Sequence, residues 1–287
     1  MDNLLIFGVG LIGGSIALEC QKKTIFKQVI GVQREGGTPL SSFVSNGMLD
    51  KISRNLKSDI EQADLIIIAT PVAQIHNILK TIYPSLSPRT IVIDVGSTKS
   101  NIISFAKEEL KEKFSQFVGS HPIAGSEQHG PAAAITNLFE DKDIILTPEV
   151  ETDSNKLKST IEFWEDLGGI IKIMNPLEHD QIFSTVSHIP HLIAYNMVNL
   201  IAQKNNTDTL LEFAASGFKD FSRIAGSSPE VWRDISLANK KAILNDLELF
   251  IKEIDKTSKL IKNNDHVALE KYFDVASKIR KNWIKKN

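Results

Sequence analysis

The sequence predicts an α/β chain: a doubly wound sheet with helices on both faces over residues 1–174, followed by an all-helical domain over 175–287. Three observations predict it. Short β-branched runs alternate with amphipathic stretches through the first half. Strand-like runs stop after "MNPLEHD" at 174–180, where Asn175-Pro176 marks the change. Beyond that point only long helical patterns remain.

The first strand is expected over 4–7 and runs into a helix over 11–22. Further strands are expected over 28–33, 65–69, 90–94, 116–119, 143–146 and 169–174. Helices fill the gaps over 72–82, 98–113 and 155–167. Runs such as "LIIIA" at 65–69 are apolar at every position, as strands of a parallel sheet covered on both faces must be. They are far too short to span a membrane. The second half reads as helices over 177–203, 207–217, 229–255 and 266–284. Pro190 removes the i+4 donor from the Val186 carbonyl, so the first of these should kink there.

The bulk properties exclude several classes. A net charge of −2 gives no field favouring nucleic acid or membrane, and neither is expected as a partner. The lysine-rich end "KIRKNWIKKN" reads as a solvated helix end. A single cysteine, Cys20, rules out an intrachain disulfide framework and a cysteine-rich zinc site. The opening "MDNLLIFGVG" has no basic region or cleavage site ahead of the strand. A cytoplasmic protein is expected.

The most specific short motif is Gly8-x-Gly10-x-x-Gly13, set between a strand and a helix. In that context it predicts a Rossmann-like, dinucleotide-binding unit. Gly8 permits the tight turn, Gly10 lets a pyrophosphate reach the backbone, and Gly13 lets the helix pack closely. Leu11 and Ile12 then open a helix whose free N–H groups face the phosphates. At the end of the second strand, Gln33 stands where an NAD site has an acid, and Arg34 follows. A neutral side chain beside a guanidinium suits a 2′-phosphate, so NADP is expected in preference to NAD, with Glu35 arguing the other way.

Ligands of such a sheet bind beyond the carboxyl ends of its strands. Thr70 and Pro71, after the third strand, should wall the nicotinamide half. "DVGSTKS" brings Ser97, which a simple helix cap would also explain, and Lys99, which opposes the helix dipole and so answers to an anion or carboxylate. "GSHPIAGSE" brings His121 to the same rim in a loop of small residues. In the second half, Asp180, Ser184, Ser187, His191 and Tyr195 recur at helical spacing, with His188 adjacent. This polar stripe lines a wet cleft or supports one from within. A zinc pair at His188 and His191 lacks a third ligand, and no metal is expected. In "GFKDFSRIAGSSPEVWRDI", Asp220 and Arg223 are one turn apart. They read either as a surface ion pair or as an arginine held by Asp220 to grip a substrate carboxylate.

Together "GVGLIGGS", "DVGSTKS", "GSHPIAGSE", "SHIPH" and "GFKDFSRIAGSSPEVWRDI", in that order, resemble the prephenate/arogenate dehydrogenases of tyrosine biosynthesis over nearly the whole chain. The resemblance implies a Rossmann domain followed by a helical dimerisation domain, a homodimer, and a small-molecule substrate, prephenate or arogenate. It implies that His121 is the catalytic histidine and takes the proton from the substrate hydroxyl, and that Ser97 orients that hydroxyl. Arg223 would bind a substrate carboxylate. Ser187, His188, His191, Glu127 and Trp232 would line or support the pocket. Some relatives carry a chorismate mutase or regulatory domain; this chain is expected to be monofunctional. Two other readings stand beside it. A β-hydroxyacid dehydrogenase would use Lys241 and Asn245 of "NKKAILND". A dinucleotide sensor would bind the cofactor without chemistry.

Overall fold

A computed structural model describes residues 1–34, 36–125, 128 and 130–284. Its compact units are Met1–Lys240 and Lys241–Asn287. The first is built on an eight-stranded sheet: β1 Asn3–Phe7, β2 Gln28–Val32, β3 Lys51–Ile52, β4 Leu65–Ile68, β5 Ile91–Asp94, β6 Phe117–Pro122, β7 Asp143–Thr147 and β8 Ile170–Ile173. Their spatial order is β3-β2-β1-β4-β5-β6-β7-β8. β1 pairs in parallel with both β2 and β4, so the chain winds outward in both directions from that point. The crevice beyond the carboxyl end of β1 is the switch point where such sheets bind ligands.

Both faces of the sheet are covered. The helices of the first half are α1 Leu11–Lys23, α2 Ser41–Ser45, α3 Leu56–Gln62, α4 Val72–Ile82, α5 Ser100–Leu110 and α6 Ser154–Asp166. Leu4 and Ile6 of β1 face one core with Ile16 and Ala17 of α1 and Trp164 of α6. Leu5 and Phe7 face the other with Ile75 and Leu79 of α4 and Ile102 of α5. Because successive side chains point to opposite faces, a strand buried on both sides must be apolar throughout. The seven strands read from the sequence are all present. β3, α2 and α3, of two, five and seven residues, are too short to carry a period and were not expected.

The sheet departs from the expected all-parallel pattern at one place: β6 and β7 are antiparallel. The chain between them contains the 3₁₀ turn Pro131–Ala133 and no crossover helix among the described residues, so it returns on the side it left. β7 and β8, joined through α6, are parallel again.

The helices beyond β8 are α7 Pro176–Phe183, α8 Ile189–Ala202, α9 Thr207–Glu212, α10 Ser216–Ser222, α11 Pro229–Ala238, α12 Lys240–Lys262 and α13 His266–Ile284. The single helix expected over 177–203 is interrupted by a π turn, Ser184–His188. The Ile189 N–H reaches back to the Ser184 carbonyl, which is the wider i+5 pairing, one residue before Pro190 withdraws a donor. The helix expected over 229–255 breaks at Asn239, whose buried side chain bonds elsewhere. Among the described residues no helix is long and apolar enough to cross a membrane.

Candidate active site

The glycine loop has the geometry its spacing implies. Gly8 has φ +87°, and a Cβ there would lie 2.5 Å from the Ala69 carbonyl oxygen. A Cβ on Gly13 would lie 2.2 Å from the Gly8 carbonyl oxygen. Gly10 has nothing within 4 Å of where its Cβ would be. It is the N-cap of α1, with no side-chain cap and no acid in the first turn, so the helix offers bare N–H groups. This cradle fits a dinucleotide pyrophosphate.

The loop opens on a cavity of about 570 Å³. Gly10, Leu11 and Ile12 border it, as do Thr70 and Pro71 after β4, Gly96 and Ser97 after β5, and Ala124 and Gly125 after β6. Its far wall comes from the helical side: His191 of α8, Arg223 and Ile224 after α10, and Val231, Trp232 and Ile235 of α11. Nine residues singled out from sequence thus border one space: Gly10, Leu11, Ile12, Thr70, Pro71, Ser97, His191, Arg223 and Trp232.

His121 is placed differently from expectation. It lies within β6 rather than in a loop, opposite Ile145 of β7. It does not itself border the cavity, although Ala124 and Gly125 just beyond it do. Its ring is held edge-on by Phe183, with centroids 4.9 Å apart, and its Nδ1 lies 2.8 Å from His179 Nε2. Burial first, then the neighbouring His179, Lys99 and His188, push its pKa well below the ordinary histidine value. It is therefore neutral at physiological pH and able to accept a proton.

Behind it lies a buried charged cluster. His179 Nδ1 is 2.9 Å from Asp180 Oδ1. The same carboxylate accepts the backbone N–H groups of Lys99 at 2.7 Å and Ser100 at 2.9 Å, and so caps α5 from outside the helix. Burial pushes Asp180 up, but hydrogen bonds from His179, Ser100 and these backbone groups prevail and hold it below the usual range. Lys99 is fully buried and paired with Asp94, and its Nζ also donates to the Ser120 carbonyl at 2.7 Å. Asp94 in turn accepts the N–H groups of Gly96 at 2.7 Å and Ser120 at 3.2 Å. One carboxylate thus ties the loop bearing Ser97 to the strand bearing His121. Lys99 answers to a carboxylate, as its position implied, and Ser97 is not the cap of α5.

On the helical side, His191 stacks on Trp232 with centroids 3.7 Å apart, and its Nδ1 lies 2.9 Å from the Ser187 carbonyl. His188 is buried, with Nδ1 3.2 Å from Asn239 Nδ2. Burial holds it down at about 4, the charge of Asp180 and the Ser97 backbone opposing. His188 thus supports the site from within, and Ser187 contributes its carbonyl. Asp220 is exposed. The α-helix ends at Ser222, so Arg223 opens a 3₁₀ turn instead of following Asp220 on the same helix. Gln33 folds back on its own loop, its amide donating to the Arg34 and Thr38 carbonyls and accepting from the Leu40 N–H. Arg34 is exposed. Glu35 and Glu127 lie outside the described residues. Lys241 and Asn245 are exposed on α12, and Asn245 reaches Asp246 at 3.4 Å.

Two family models match most of the chain. Residues 16–173 match the prephenate dehydrogenase nucleotide-binding domain, and residues 175–275 match the prephenate dehydrogenase dimerization domain. The chain belongs to the prephenate dehydrogenase family. It is 37% identical to the prephenate dehydrogenase of Bacillus subtilis over 97% of its own length and 75% of that protein. It is 29% identical to the cyclohexadienyl dehydrogenase of Zymomonas mobilis, covering 97% of this chain and 94% of that one. The prephenate dehydrogenase of Aquifex aeolicus, solved with hydroxyphenyl propionate and NAD⁺, superposes with a TM-score of 0.90 at 33% identity, covering 98% of both chains.

For this family member the sequence missed His179, the residue in contact with His121. A histidine beside an aspartate on the apolar face of a helix, one turn before Phe183, was the available signal. It lies outside the polar stripe of Asp180, Ser184, Ser187, His191 and Tyr195. Asp94 and Asn239 were also missed: Asp94 pairs with Lys99 five positions on, and Asn239 meets His188 and Asp180 across 51 and 59 positions, which no helical or strand period encodes.

Proposed function

We propose that this chain catalyses the nicotinamide-dependent oxidative decarboxylation of prephenate or arogenate in tyrosine biosynthesis. The observation that carries the reading is the shared cavity. The bare N–H groups of α1, Ser97, the His191–Trp232 stack and Arg223 all border it. A bound nicotinamide dinucleotide supplies the hydride acceptor. The residues of the chain do the rest.

Gly10 and the first N–H groups of α1 bind the pyrophosphate. Arg223 grips a substrate carboxylate, and Trp232 with His191 walls the ring. Ser97 orients the substrate hydroxyl toward His121. As hydride leaves the carbon bearing that hydroxyl, its O–H proton passes to His121 and a ring carbonyl forms. The bond from ring to carboxylate then breaks, CO₂ departs, and its electron pair aromatises the ring. The phenolate oxygen so formed takes a proton back. Aromatisation makes the second step downhill, so alignment is the enzyme's main task.

Three finer parts belong to the same proposal. NADP is preferred over NAD, supported by the absence of an acid at Gln33 and by the exposed Arg34. Residues 1–174 hold the cofactor and 175–287 complete the substrate site and join two copies. Exposed Leu249, Ile254, Val267, Phe273 and Ile279 on α12 and α13 support a homodimer, and the single cysteine supports a reducing cytoplasm. Initial rates of nicotinamide reduction, with prephenate and arogenate each offered with NADP⁺ and NAD⁺, test the reading. Turnover of either substrate upholds it. Silence with all four combinations, while the dinucleotide still binds, refutes it.

A further inference from the structure

We infer that His179 and Asp180 are positioning residues that fix the tautomer of His121, leaving its Nε2 unprotonated and ready to accept the substrate proton. The inference rests on the proposed role of His121 and deepens it. The argument is one of donors and acceptors. Asp180 is an ionised carboxylate held by two backbone N–H groups, so it can only accept. His179 Nδ1, 2.9 Å away, must therefore carry a proton. Burial keeps the His179 ring neutral against the opposing bond to Asp180, so its Nε2 has none. That nitrogen lies 2.8 Å from His121 Nδ1 and can only accept. His121 Nδ1 then carries the proton, and in a neutral ring Nε2 is left with the lone pair.

Each link is set from outside the pair. Asp180 is fixed because it caps α5, accepting the N–H groups of Lys99 and Ser100. The His179 ring is clamped by Phe183 at 4.5 Å between centroids. The titratable groups facing His121 are His179 from α7, Lys99 ahead of α5 and His188 from the π turn, with Asp180 and Asp94 behind them. When Nε2 takes the substrate proton, the positive ring is stabilised through the Nδ1–H bond to His179 and onward to Asp180. No proton has to leave Nδ1.

The test pairs His179→Leu with His179→Gln. Glutamine keeps a donor for Asp180 and an acceptor for His121; leucine keeps neither. His179→Leu is expected to lower kcat by about a hundredfold, the lower range of general-base effects, with KM and dinucleotide affinity within about twofold of the parent. His179→Gln is expected to recover kcat to within about tenfold. Equal losses in both variants would overturn the inference in favour of a packing role. The second readout is ¹⁵N NMR of histidine-labelled full-length protein, which needs no turnover. His121 Nε2 is expected to appear as an unprotonated nitrogen in the parent and to gain proton character in His179→Leu. A parent His121 protonated at Nε2 would overturn the inference whatever the activity. An Nδ1-protonated His121 in a protein inert toward both substrates would uphold it and refute the dehydrogenase reading instead.

Discussion

The glycine loop after β1 presents backbone N–H groups with no side chain over them, whereas the cluster behind His121 hides Asp94, Lys99, His179 and Asp180 from water. The first works by what is absent. Its chemistry is that of a helix end and depends on close approach. The second works by mutual satisfaction. Every buried charge in it has a partner, and removing one leaves the other stranded. The loop should therefore be sensitive to bulk and tolerant of pH, whereas the cluster should be sensitive to pH and to the loss of any one charge.

Breaking the cluster should have the largest effect on stability. Lys99→Met leaves Asp94 buried without its cation, and about 3–5 kcal/mol of stability should be lost, as for other broken buried pairs. Urea denaturation at neutral pH measures it. A loss under about 1 kcal/mol would mean that water reaches Asp94 and the cluster is not dry.

Acid should attack the same region. His188 is held at about 4 against an ordinary 6.5, so it is neutral when folded and charges on unfolding. Its contribution is fully present above 6.5 and is lost as pH falls from there to about 4. Over that window the linked loss is about 3 kcal/mol. His188→Gln should flatten the stability profile between these limits, read from urea midpoints at several pH values. An unchanged slope would show that His188 is not responsible.

Two glycines sharpen the contrast in the loop. Gly8→Ala forces a Cβ against the Ala69 backbone at positive φ, so both melting temperature and dinucleotide affinity should fall, the stability by about 1–3 kcal/mol. Gly10→Ala meets no protein atom, so its melting temperature should hold while the dinucleotide Kd rises about tenfold, or about 1.4 kcal/mol. Calorimetry and fluorescence titration separate the two. The smallest effect belongs to Arg34→Ala, which should weaken NADP⁺ by about three- to tenfold and leave NAD⁺ unchanged, because the side chain is exposed.

The same contrast explains what could be read from the residues alone. The strands, the glycine loop and the strand-end loops were legible because each is written in a short window: a period, a spacing or a boundary. The long helical patterns gave the helices but not their interruptions. Pro190 announced a disturbance, yet its form as a π turn depends on Ile189 reaching Ser184. Asn239 breaks a helix because its amide is drawn to the Asp180 carbonyl, far away in sequence. His121 was found by its motif, but its support was not. His179 lies 58 positions away, and Lys99 meets Asp180 across 81. This buried polar network is long-range where it matters to His121, because α7 and the start of α5 are brought to β6 only by the fold.

His121→Asn tests the central claim most directly, with turnover of prephenate and arogenate and dinucleotide binding measured on the same preparation. The account predicts that kcat falls by about 10²–10⁴ while the dinucleotide Kd stays within about twofold. Undiminished turnover would contradict it, because the proton of the substrate hydroxyl would then have another destination.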